Sequence, residues 1–138
     1  MNRIDLQALS ALRVKEASIL LQNGCFDGAY YLLGYSVECA LKSCIAKQIR
    51  EYDFPDKKFI NDSHTHELDK LLNLSGLKSR LQQEAKENEE LGLSWAVVKD
   101  WSEQFRYQHG LSQRQVQDFY DAITSEKTGI LSWLKNWW

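Results

Sequence analysis

Four polar side chains recur along a stretch that is otherwise apolar. Tyr31, Tyr35, Glu38 and Lys42 are four, three and four residues apart, so on a helix they share one face. Across residues 25–46 the only charges are Asp27, Glu38 and Lys42. A buried charge is costly unless paired, so Glu38 and Lys42 either neutralise each other or face a cleft. The first case is an internal ion pair that fixes helix register; the second is a binding site. The spacing leaves both open.

Two further clusters carry chemistry. His64-Thr65-His66 resembles a metal site at first sight, but residues two apart on a helix point in different directions, and no third ligand stands at a convincing spacing. No metal is expected there. His66, just before the Leu68, Leu71, Leu72 stripe, is the one expected to face inward. Arg106-Tyr107-Gln108-His109 places a guanidinium beside an aromatic ring, which suits a phosphate or a carboxylate, Glu38 included. The chain has no phosphate-cradling glycine loop and no nucleophile elbow. Trp133, Trp137 and Trp138 have little positive charge around them beyond Lys127 and Lys135, so core or oligomer contact is expected rather than base stacking.

The elements that must position these groups are helical. Residues 3–23 read as a first helix stopped by Gly24, apolar on more than one side. Residues 27–49 form the central helix, apolar nearly all round, with Asp27 as its expected N-cap. Small residues at Ala29, Ser36, Ala40 and Ser43 line one side of it, where a neighbouring helix can approach closely. Residues 51–62 hold the sole proline and read as a loop. A third helix over about 64–75, capped by Asp62 or Ser63, and a polar fourth over 77–90 follow. Residues 92–101 read as a short helix and 102–111 as a connection. Ser112 and Gln115 form a capping box for a last helix running from 113 to the end. The expected fold is all-α, an antiparallel up-and-down bundle of about five main helices in one domain over 1–138.

Composition agrees. The 138 residues are 43% hydrophobic with one Pro and seven Gly, few turn breakers for a sheet protein. Collagen, a disordered tail and a disulfide miniprotein are excluded. Basic and acidic residues number 17 and 19, a net −2, so no whole-molecule field draws the chain to nucleic acid or membrane. Cys25, Cys39 and Cys44 match no zinc or redox spacing and read as small apolar core residues of a reducing compartment. The first residues read as neither a signal peptide nor a membrane anchor, so a cytoplasmic location is expected.

Residues 24–42 (GCFDGAYYLLGYSVECALK) resemble the central helix of HEPN domains, the higher eukaryotes and prokaryotes nucleotide-binding family. His66-Glu67-Leu68 with Lys70-Leu71-Leu72, and Trp101-Ser102-Glu103 leading to Arg106-Tyr107, resemble later segments of that family in the same order. The resemblance covers roughly residues 8–125. It implies an antiparallel bundle, commonly a homodimer, often beside a small nucleotidyltransferase in a toxin–antitoxin-like module, with no cofactor.

On that basis the expected function is a binding module for a nucleotide or RNA phosphate. Lys42 and Arg106 supply charge, Tyr35 or Tyr107 a stacking or hydrogen-bonding surface, and His66 a donor, around the Glu38 carboxylate. Many members of the family are metal-independent ribonucleases with an Arg followed a few residues later by a His. The nearest arrangement here is Arg106 and His109 with two residues between, and the last helix has no His. An endoribonuclease with a shifted motif is therefore the alternative, His109 taking the 2′-hydroxyl proton and Arg106 stabilising phosphorane-like charge.

Overall fold

A computed structural model describes residues 1–49, 54–107 and 109–138. Among these residues the chain is all-helical: α1 Arg3–Gln22, α2 Phe26–Gln48, α3 Lys57–Asp62, α4 Leu68–Leu74, α5 Lys78–Glu87, α6 Glu89–Val98, a 3-10 turn Glu103–Tyr107, α7 Gln113–Thr124 and α8 Ile130–Leu134. The helical-bundle expectation holds, with more and shorter helices than the sequence suggested. No described helix is long and apolar enough to cross a membrane.

The α1–α2 hairpin is the largest helix–helix contact and sets the frame. Asn2 caps α1 through the Asp5 amide in a reciprocal box. At the other end Gly24, at φ +76°, lets the Cys25 amide reach back to the Leu20 carbonyl at 2.8 Å, a Schellman closure. The chain then reverses, and α2 runs antiparallel to α1. Ser10 Oγ donates to the Ser36 carbonyl at 2.8 Å, and Ala29, Ser36, Ala40 and Ser43 are all buried. The small-residue strip does bring a neighbour close. Leu33, Val37 and Leu41 of α2, Leu68, Leu71 and Leu72 of α4, and Phe119 and Ile123 of α7 belong to one continuous core.

Several expectations are corrected. The central helix begins at Phe26 behind Cys25, so Asp27 lies inside the first turn rather than at the cap. There its carboxylate accepts the amides of Gly110 (3.1 Å) and Leu111 (3.0 Å), tying a distant loop to the helix start. Part of the expected loop over 51–62 lies outside the described residues; its later part forms α3, capped by Asp56. Asp62 and Ser63 therefore close α3 instead of opening the next helix, which starts after Glu67 without a side-chain cap. Asn88 accepts the Leu91 amide and separates α5 from α6 inside the polar run.

The last helix is also interrupted. Ser125 Oγ pairs with Thr128 Oγ1 at 3.3 Å, and Ser132 Oγ donates to the Ser125 carbonyl at 2.8 Å. These local bonds compete with the helix ladder and break it over 125–129. The turn swings α8 inward: Ile130, Leu131 and Leu134 are buried, Trp133 Nε1 donates to Glu84 at 3.0 Å, and Arg80 stacks on Trp137. The Trp-rich end thus packs against its own chain, with Trp133 buried and Trp137 and Trp138 half-buried. The outward side of α1 does stay exposed, at Ile4, Leu12 and Ile19.

Candidate functional site

Glu38 is the centre of the polar row on α2. It is 2% exposed, and both carboxylate oxygens are engaged. His66 Nδ1 lies 2.9 Å from Oε1 and Lys42 Nζ lies 3.5 Å from Oε2. The ring's other nitrogen, Nε2, faces Glu103 Oε2 at 3.3 Å. His66 lies in the irregular connection between α3 and α4, from which the imidazole reaches α2 on one side and the 3-10 turn on the other. A protonated imidazole can donate to both carboxylates, whereas a neutral one donates to a single partner. The His66 ring reaches the buried Glu38 while its side chain stays partly exposed. For Glu38 and Lys42 the spacing left pairing or a cleft open, and the structure shows the pair lining a cleft.

That cleft has a volume of about 390 Å³ and lies between the start of α1, the second half of α2 and the segment after α3. Leu6 and Leu9 form an apolar wall, Tyr35, Glu38 and Lys42 a polar floor, and His64 an opposite edge. Arg13 approaches the Tyr35 ring, its guanidinium carbon 5.9 Å from the centroid. Burial, then the neighbouring Cys39, Glu38 and Tyr31, raise the Tyr35 phenol above its ordinary value, with Arg13 opposing. The phenol stays protonated and available as a donor. Cys39 also lines the cleft, but burial and then Glu38 push its thiol up to about 12, and burial pushes Cys44 to about 11. Neither is a nucleophile at neutral pH; Cys25, by contrast, is exposed and not a core residue.

Arg106 and Tyr107 do not line this cleft. Both are exposed, and the guanidinium sits 4.8 Å from the Tyr107 ring centroid. A hydrogen bond with Tyr107, its charge, and then Glu103 and Tyr31 favour the charged guanidinium. The expected meeting of Arg106 with Glu38 does not occur: His66 and Lys42 occupy the carboxylate, and the 3-10 turn presents Glu103 to His66. His109 is exposed beside Gly110, in the loop held by Asp27; Gln108 lies outside the described residues. Among the described residues no group of three His, Cys, Asp or Glu is arranged around a common metal position.

Compared with protein-family models, characterised proteins and solved structures, the chain matches none. The site therefore has to be read from its own geometry. Four contributors, Glu103, Arg13, Leu6 and Leu9, were not among the site residues expected from the sequence. Glu103 carried no periodic signal because it sits in a 3-10 turn. Arg13 and the wall formed by Leu6 and Leu9 belong to α1, where helical spacing was visible but the facing partner was not.

Proposed function

We propose that this chain is a HEPN-like binding module whose α1–α2 cleft takes the phosphate of a nucleotide or RNA. The observation that carries the reading is the convergence of Tyr35, Glu38 and Lys42 on one cleft, with His66 holding the buried carboxylate from behind. Lys42 is the cation for the phosphate and Tyr35 the protonated donor or stacking wall. Glu38 keeps the ammonium in place when the cleft is empty. The volume suits one mononucleotide-sized group against Leu6 and Leu9. Arg106 and Tyr107, linked to the cleft through Glu103 and His66, serve a longer RNA. A nucleotidyltransferase-type partner in a toxin–antitoxin-like module, and a homodimer formed through the exposed side of α1, complete the proposal on the resemblance.

Calorimetry with AMP tests it. Lys42→Ala is expected to weaken binding about tenfold, the loss of one charge-assisted hydrogen bond. Arg106→Ala should leave AMP affinity unchanged and weaken a single-stranded oligoribonucleotide. Equal AMP affinity for wild type and Lys42→Ala contradicts the proposal.

The endoribonuclease reading draws on the exposure of both Arg106 and His109, which leaves the pair open to a substrate. It is tested by incubating single-stranded RNA in EDTA. Cleavage lost in His109→Ala supports it; an inactive wild type ends it, and activity that survives the substitution removes this site.

A further inference from the structure

On a face separate from the nucleotide cleft, α6 and α7 leave an open groove of about 300 Å³. Its apolar floor is Leu93, Val97 and Ala122. Leu93 and Val97 are one helical turn apart and remain 59% and 46% exposed, although Leu91, Ser94 and Val98 on the same helix are buried. An adjacent pair of large aliphatic side chains left this open is a candidate contact surface. The rim has a single sign. Glu90 flanks the floor from α6, Asp118 and Asp121 from α7, and none of the lining residues is basic. Asp121 is held in place by Gln117 Nε2, which donates to it at 3.0 Å. The nearest cation along α7, Arg114, is a full turn before Asp118 and does not line the groove.

We propose that this groove docks a basic amphipathic helix of a partner protein. Two apolar side chains one turn apart on that helix would cover Leu93 and Val97. Lysine or arginine residues on either side would meet Glu90 and the Asp118, Asp121 pair. This is the helix-in-groove mode, with affinity from the apolar anchors and orientation from the charges. The lining runs along α6 from Glu90 to Val97, about two helical turns, so the docking segment is short. The inference does not depend on the nucleotide cleft, and either can fail without the other.

The test is fluorescence anisotropy with a labelled amphipathic Leu/Lys helix about four turns long, beside a Leu/Glu peptide of the same pattern. The basic peptide should bind saturably and the acidic one should not. Leu93→Ser should weaken binding about tenfold. The double variant Asp118→Asn with Asp121→Asn should weaken it several-fold and flatten its salt dependence. All three positions are at the surface, and unchanged circular dichroism checks that the variants fold. Absence of saturable binding, equal binding of both peptides, or affinity unchanged in either variant overturns the proposal. Self-association abolished by Leu93→Ser, without peptide binding, assigns the groove to a second copy and also overturns it.

Discussion

Gly34→Ala is expected to be severely destabilising. A Cβ at Gly34 would lie 2.1 Å from Cδ2 and Cε2 of Trp101 and 2.2 Å from its Nε1, deep in the core. The indole is 1% exposed and packs against Tyr31 at 5.9 Å between ring centroids. Its Nε1 has no hydrogen-bond partner among the described residues, so close packing on the glycine is what seats the ring. Either α2 or the segment carrying Trp101 must move. Overpacking of this severity costs about 3 kcal/mol, and the melting temperature should fall by roughly 10 °C. Gly24→Ala is the control. It has a strained positive φ but open space around it, so it should cost about 1 kcal/mol. Thermal melts ordering the two variants the other way would contradict the seating of Trp101 on α2.

The second large effect concerns Glu38, and its sign depends on the replacement. Glu38→Ala removes the partner of Lys42 and the acceptor of His66 together, from a position with almost no water access. Both partners still reach solvent, which limits the loss to about 2 kcal/mol in denaturant unfolding. Glu38→Gln keeps an oxygen toward His66 and removes the negative charge. The fold should lose less, while phosphate affinity rises several-fold, because an anion no longer competes with the carboxylate for Lys42. Weaker phosphate binding in Glu38→Gln would mean that the carboxylate itself contacts the ligand.

The central helix was legible because its apolar run is long and its few charges stand out against it. The same pattern gave the shared face of Tyr35, Glu38 and Lys42, since helical spacing alone decides which of them are neighbours. What it hid were partners chosen by loops. His66 reaches Glu38 from an irregular connection, and Glu103 reaches His66 from a 3-10 turn, so neither obeys a period. That is why Arg106, adjacent in sequence to the right turn, was a plausible but wrong mate for Glu38. The break over 125–129 was hidden for a different reason. Apolar residues stay buried on both sides of it, and the local serine and threonine bonds that open the helix leave that stripe intact. Gly34 shows nothing of its role in the sequence, because that role is set by an indole far along the chain.

The most direct test of the account is a titration of the isotopically labelled protein with AMP, followed by amide and side-chain chemical shifts. The α1–α2 cleft predicts saturable shifts at Leu6, Leu9, Tyr35, Lys42 and His64, with the Lys42→Ala protein shifting little at the same ligand concentration. Shifts that saturate elsewhere, or that are the same in wild type and Lys42→Ala, would contradict it.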